Sequence, residues 1–213
     1  PVVFAASEGV GAEWLPRALG GFKRANPDIL IEMNIGNQPA NLAQRQADIA
    51  LRWNGPGTQQ SLIGRRAVSI GAGLYAAKSY LDARGRPERP GDLVDHDAVE
   101  WSVATKFTWP PIIDGENALP ARITFQANSP NALLSGLVAG FGLGVYTHRM
   151  ARRQAELERV LPEYETSLDL WIVTHEDVRR SARIRAAFDY TLAALDADAA
   201  HFSHGEPSIY GPS

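Results

Sequence analysis

The chain has 213 residues, 45% apolar and 21% charged, long enough for one large domain or two small ones and too apolar for wholesale disorder. With 21 Lys+Arg against 24 Asp+Glu, the formal charge of −3 makes no electrostatic case for gripping nucleic acid unaided. There is no cysteine, which excludes disulfides, thiolate metal sites and a cysteine nucleophile.

The chain opens on a β-branched run, Val2-Val3-Phe4, that feeds "ASEGVGAEWLP" (Ala6 to Pro16), a strand end opening into a helix. Leu15, Ala18, Leu19 and Phe22 recur at i, i+3, i+4 and i+7, which predicts an amphipathic helix over Ala12–Ala25, stopped by Pro27. "ILIEMNI" (Ile29–Ile35) alternates as a strand, a short helix is expected around Asn41–Gln46, and "DIALRW" (Asp48–Trp53) is a third strand. Such alternation predicts an α/β unit with a mostly parallel sheet.

After the loop "NGPGTQQ" (Asn54–Gln60), Leu62–Lys78 has the character of a strand crossing between two lobes, and "RGRPERPGD" (Arg84–Asp92) is a second loop. Strand-like runs recur at Ala98–Trp101, Ile123–Ala127, Leu143–Tyr146 and Leu168–Thr174. "PNALLSGLVAG" (Pro130–Gly140) is a helix apolar nearly all round, hence buried, with proline at its first position and Gly140 and Gly142 at its end. Ile184, Ala187, Phe188, Leu192 and Leu195 form a last helical stripe, and the polar, Gly/Pro-containing "HFSHGEPSIYGPS" is expected to be a mobile tail.

Catalytic motifs fail on spacing or context. Gly9-Val10-Gly11 lacks the third glycine of a dinucleotide cradle, because position 14 is Trp14, and no Lys-Ser/Thr pair follows a glycine loop. "AVSIG" (Ala67–Gly71) resembles a nucleophile elbow, but a strand-like run follows where a helix is required. His96 reads as a turn or capping residue, and His201 and His204 as solvated tail residues. No metal-ligand set emerges, and neither a cofactor nor a catalytic residue is expected.

Strand ends remain. In open α/β sheets ligands sit beyond the carboxyl ends of the strands. Ser7, Glu8, Gly36, Asn37, Trp53 and Asn54 occupy such positions in the first half, and Trp101, Ser102, Asn128 and Ser129 in the second. Aromatic walls with a few hydroxyl and amide groups suit a small-molecule pocket. Equally, Ser7 and Ser129 would serve as helix N-caps, and Trp53 and Trp101 as core residues.

The stretch "ASEGVGAEWLPRALGGFKRANPDILIEMNIGNQPANLAQRQADIALR" resembles the start of the effector-binding domain of LysR-type transcriptional regulators, through Ser7, Leu15-Pro16, Phe22, Pro27 and Asp48-Ile49-Ala50-Leu51-Arg52. The likeness continues through "AAKSYLDARGRPERPGDLVDHDAVEW", "ANSPNALLSGLVAGFGLGV" and "LDLWIVTHEDVRRSARIRAAFDYTL", to about residue 196. It departs at Tyr146-Thr147-His148, where the family usually has leucine-proline.

The resemblance implies two Rossmann-like α/β subdomains joined by a two-strand hinge, like type II periplasmic binding proteins. Subdomain I would be residues 1–72 plus 173–198, subdomain II 73–172, and 199–213 a flexible tail. It also implies a small-molecule effector held between the lobes by Ser7, Glu8, Asn37, Trp101, Ser102, Asn128 and Ser129. Trp53 and Tyr146 are added here as aromatic lining. A family member would be a cytoplasmic homodimer or homotetramer, with the helix Ala12–Ala25 as one candidate interface. It would bind DNA only through an N-terminal winged helix-turn-helix, which is absent from this chain.

The chain starts at Pro1 rather than Met, which reads as a fragment or processed product. No apolar run reaches the roughly 18 residues of a membrane span, and no leader is evident. The rival reading is a periplasmic solute-binding protein of a transporter. The effector class suggested by helix starts and aromatic walls is a carboxylate or an aromatic acid, with a neutral ligand equally open.

Overall fold

The computed structural model describes residues 1–36, 47–53, 55, 61–102, 109–177 and 181–211. In chain order the elements are β1 (Val2–Ala6), α1 (Glu8–Gly11), α2 (Leu15–Ala18), α3 (Gly20–Ala25), β2 (Ile31–Ile35), β3 (Ile49–Arg52) and β4 (Leu62–Ala77). Then come α4 (Lys78–Arg84), β5 (Asp97–Trp101), β6 (Ile112–Ile113), β7 (Glu116–Asn117), β8 (Arg122–Ala127), α5 (Pro130–Val138) and β9 (Gly144–Thr147). The chain continues with α6 (His148–Ala151), β10 (Leu157–Val160), β11 (Thr166–His175), α7 (Ala182–Ala197) and α8 (Ala199–His204). The helix expected at Asn41–Gln46 lies outside the described residues. Among the described residues no helix is long and apolar enough to cross a membrane.

The chain divides into two compact units, one of Pro1–Ser69, Asp169–Ala199 and Pro207–Ser213, the other of Ile70–Leu168 and Ala200–Glu206. The divisions at Ser69/Ile70 and Leu168/Asp169 fall inside β4 and β11, so each of these two long strands serves both units.

In the first unit β1 is buried along both faces, as its unbroken apolar run requires of a central parallel strand. It pairs in parallel with β2 (Ala6 opposite Ile35) and with β3 (Ala6 opposite Leu51). β11 then runs antiparallel to β3, so the sheet is mixed rather than purely parallel. Asp48 ties this sheet together. Its carboxylate accepts from the Val3 backbone N–H at 2.8 Å, and its carbonyl accepts from the Thr174 hydroxyl at 2.7 Å. Ala5, Ala47, Ala50, Leu62 and Val173 form a core cluster, with Val3 and Trp171 packed on it.

The apolar stripe Leu15, Ala18, Leu19 and Phe22 is buried as its period requires, but the expected single helix over Ala12–Ala25 is broken into α2 and α3. A distant partner and a local weakness meet at this turn. The Tyr190 hydroxyl, from α7, donates to the Ala18 carbonyl at 3.1 Å, and two glycines follow immediately at positions 20 and 21.

In the second unit β5 pairs in parallel with β8. Leu143, just before β9, bridges in parallel to Ala98 of β5, and β9 pairs antiparallel with β4. Asp97 anchors the start of β5. It is gripped by Arg122 at 2.8 Å and Arg84 at 3.1 Å, and Arg122 above all holds its carboxyl below the ordinary range.

His148 sits buried under β4. Its Nδ1 is 2.7 Å from the Tyr75 hydroxyl and its Nε2 is 2.7 Å from Glu165. A carboxylate only accepts, so Nε2 carries the proton and Nδ1 accepts from Tyr75. Burial pushes the His148 pKa down, and burial together with Arg84 does the same for His96, which caps the helical turn Pro90–Asp95 as expected and is also a buried partner of Tyr80.

Both histidines therefore take up a proton less readily folded than unfolded. Below the ordinary histidine value of about 6.5 the unfolded chain therefore binds more protons, and stability falls as pH drops through that value. Urea melts at pH 7.5 and 5.5 should show this loss, and His148→Gln should make it shallower. A midpoint independent of pH across that interval would refute the assignment.

The last segment is the clearest correction. The expected flexible tail contains α8, in which His201 and Phe202 are buried, Phe202 completely. The Arg149 guanidinium lies 5.3 Å over the Phe202 ring, and Arg149 Nε donates to His201 Nε2 at 3.4 Å.

Candidate ligand site at the strand ends

Parallel pairing decides which residues share an edge. In the first unit β1, β2 and β3 all run the same way, so their C-terminal ends, Ser7, Gly36 and Arg52-Trp53, lie along one edge. Continuing the β1–β3 register by one residue sets Arg52 opposite Ser7, a cationic residue that sequence reasoning left unassigned. Gly36 N–H donates to the Ala6 carbonyl at 3.1 Å, which keeps the start of the second turn against the first. Glu8 opens α1, and Trp53 is half-buried at the bend after β3. Asn37 lies outside the described residues.

In the second unit β5 and β8 run together, and β9 is aligned with β5 through Leu143. Their ends therefore place Trp101-Ser102, Asn128-Ser129 and Thr147 along one edge. Ser102 N–H donates to the Ala127 carbonyl at 3.0 Å, locking the first two of these ends together. Ser102 and Asn128 are exposed.

Hydrogen bonding distinguishes these side chains. Ser129 Oγ accepts from Ala132 N–H at 3.3 Å, so Ser129 caps α5. Ser7 stands at the N-cap position of α1, yet its side chain caps nothing and its Oγ is buried without a partner. Trp101 Nε1 and Thr147 Oγ1 are in the same state, and Thr147 also precedes its helix without capping it. Buried polar atoms are nearly always paired, because leaving one unpaired costs about 1–3 kcal/mol. Among the described residues four buried side-chain polar atoms lack a partner, and three of them, Ser7 Oγ, Trp101 Nε1 and Thr147 Oγ1, stand at these strand ends.

Tyr146 is a correction. The expected pocket-lining aromatic is a core residue, 2% exposed, whose hydroxyl donates to the Pro130 carbonyl at 2.6 Å and steadies the start of α5. Its neighbour Thr147, a residue absent from the sequence-based set, holds the unpartnered hydroxyl at this strand end. The signal in the sequence is a hydroxyl at the end of a strand.

A surface groove of about 470 Å³ elsewhere in the second unit is lined by Pro87, Arg89, Ile113, Leu161, Pro162 and Tyr164 among others, and none of the strand-end residues borders it. Among the described residues no group of three or more His, Asp or Glu is placed to hold a metal ion.

Two α/β units that share two long strands and carry parallel strand ends with unspent polar groups define a two-unit binding domain of the type II periplasmic-binding-protein kind. The chain belongs to the LysR substrate binding domain family, which it matches over residues 1–196. An HTH-type transcriptional regulator of Xanthomonas campestris is 27% identical over 207 residues, covering 92% of this chain and 60% of the relative. The chain thus spans about 60% of that relative's length.

Among solved structures, the regulatory domain of CrgA, a LysR-type transcriptional regulator from Neisseria meningitidis, superposes with a TM-score of 0.79 at 20% identity, covering 91% of this chain and 98% of that one. The effector domain of AmpR of Pseudomonas aeruginosa gives 0.76 at 19%, covering 93% and 96%. At these identities the likeness speaks for the fold. All three are transcriptional regulators, not components of transporters.

Proposed function

We propose that the chain is the ligand-sensing part of a bacterial LysR-type transcriptional regulator, and that Trp101 and Thr147, on one edge of the second unit, are polar contacts that read its effector, with Ser7 the corresponding unspent group of the first unit. Three buried polar atoms left unpartnered at strand ends carry this reading. An indole N–H only donates, so the effector presents an acceptor to Trp101, and a carboxylate or carbonyl on an aromatic or apolar body is the matching chemistry. Glu8, Asn37, Trp53, Ser102, Asn128 and Ser129 complete the proposed set as neighbours on the same edges. Arg52 supplies the cation on the first of them.

The effector shifts the equilibrium between conformations of the domain only as far as its affinity for them differs. The change passes to a DNA-binding domain in the rest of the polypeptide, within a cytoplasmic homo-oligomer. The charge of −3 favours that division of labour, since this chain has no basic surplus for phosphates. No catalytic step is part of the reading.

The test is a thermal-shift panel of carboxylic and aromatic acids on the native chain, Ser7→Ala and Thr147→Val. A compound at 100 times its Kd adds about 2.7 kcal/mol, a rise of roughly 5–10 °C. Thr147→Val should abolish that rise for a compound read by the second unit, and Ser7→Ala for one read by the first, while both leave the unliganded protein as stable as before, or up to about 1 kcal/mol more stable, since each removes a buried unpaired group. Variants that lose unliganded stability and keep the ligand response would assign these hydroxyls to the fold instead.

A further inference from the structure

α7 closes in the first unit at Asp198–Ala199, residues 200–206 belong to the second unit, and residues 207–213 return to the first. All of this lies beyond the residues 1–196 that match the family. Both ends of the excursion are fixed at one point. The buried Asp198 carboxylate accepts from Trp14 Nε1 at 2.7 Å, from Ser208 Oγ at 2.6 Å and from Ile209 N–H at 3.1 Å. Tyr210 then sets its ring edge-on to Trp14, with centroids 5.9 Å apart. The chain therefore leaves Asp198 and is hydrogen-bonded back to it ten residues later.

The part in between is equally fixed, within the second unit. Phe202 is fully buried beneath Arg149, and His201 Nδ1 lies 2.6 Å from the Glu206 carbonyl. Gly71 of β4 permits the close approach of α8, because a Cβ there would fall 2.0 Å from the Ser203 carbonyl oxygen. β4 is also one of the two strands that pass between the units, and Gly71 lies two residues past the division at Ser69/Ile70.

We propose that residues 198–210 form an out-and-back strap, adding a third and a fourth covalent crossing to those of β4 and β11, that restrains movement of one unit against the other. Extended strands bend and twist at low cost, whereas a connection with a buried phenylalanine in one unit and a buried carboxylate in the other yields only when one anchor breaks. The strap thereby sets how readily the domain changes conformation. This inference does not depend on the effector reading, and it applies to the unliganded chain.

The native chain has no cysteine, so Ala83→Cys on α4 and Ala186→Cys on α7, both exposed and one in each unit, take spin labels cleanly. Pulsed electron resonance on the otherwise native 213-residue chain should give one narrow distance distribution. Ending the chain after Glu206, or wedging α8 away with Gly71→Val, should broaden it, with the β-sheet circular dichroism retained. Should either variant fail to fold, the pair Ser208→Ala and Tyr210→Ala loosens the first-unit anchor alone and should broaden it as well. A distribution already broad in the native chain, or equally narrow in every folded variant, overturns the proposal.

Discussion

Phe202→Ala should cost about 3–5 kcal/mol, lowering the melting temperature by roughly 10 °C in a domain of this size. Phe202 has no solvent exposure, lies under the Arg149 guanidinium and touches the His201 ring edge-on at 5.5 Å. Truncation removes the apolar burial, strips the cation of its aromatic face, and leaves a cavity that a backbone held at Gly71 and Gly205 cannot collapse. A mobile tail would register no change, so a melt of this one variant separates the two descriptions. Phe202→Leu, which keeps most of the volume, should recover more than half of the loss.

Gly142→Ala should be at least as damaging, at about 3 kcal/mol or more, although it adds a single methyl group. Gly142 has φ +149, a conformation that side chains rarely adopt, and a Cβ there would lie 2.4 Å from the Asp97 carbonyl oxygen. That carbonyl accepts from Leu143 N–H at 2.9 Å, and the Leu143 carbonyl accepts in turn from Val99 N–H at 2.7 Å. These bonds align β9 with β5. The added methyl therefore strikes the backbone that brings Trp101 and Thr147 to one edge. Chemical denaturation should show the loss of stability, and any ligand response of the second unit should vanish with it. A variant as stable as the native chain would mean that β5 and β9 are not held as described.

Where sequence reasoning succeeded, the signal was local and periodic. The runs at Ala98–Trp101 and Ile123–Ala127 became β5 and β8, the helix Pro130–Gly140 became α5, and the stripe of α7 is buried at Ile184, Ala187, Phe188 and Leu195. It failed where a distant partner decides. Gly20 and Gly21 mark a weak point beside Ala18, but nothing there announces that Tyr190 will take the Ala18 carbonyl. "HFSH" shows no stripe, and its burial depends on Arg149 and Gly71, far away in the chain.

The site divides in the same way. Strand ends were legible, because topology alone places those of each unit along one edge of that unit. Which polar atoms are already spent was not. Ser7 and Ser129 look alike in sequence, and only the 3.3 Å bond to Ala132 marks Ser129 as a cap. Tyr146 and Thr147 are adjacent, yet the first is bonded inside the core and the second is left over.

The central claim is that the strand ends bind a small acceptor-bearing molecule, and the Trp101 indole reports on it directly. The chain has five tryptophans, hence five indole N–H resonances. Those of Trp14 and Trp109 serve as internal controls, since they donate to Asp198 at 2.7 Å and to the Ala118 carbonyl at 2.6 Å. Two-dimensional nitrogen–proton spectra of the labelled chain would be recorded with the acid panel, with Trp101→Phe identifying the resonance. A compound that moves the Trp101 indole downfield, as a newly formed hydrogen bond does, and leaves Trp14 and Trp109 in place is the expected result. Compounds that bind, by the measured rise in melting temperature, yet leave the Trp101 indole unmoved would contradict it.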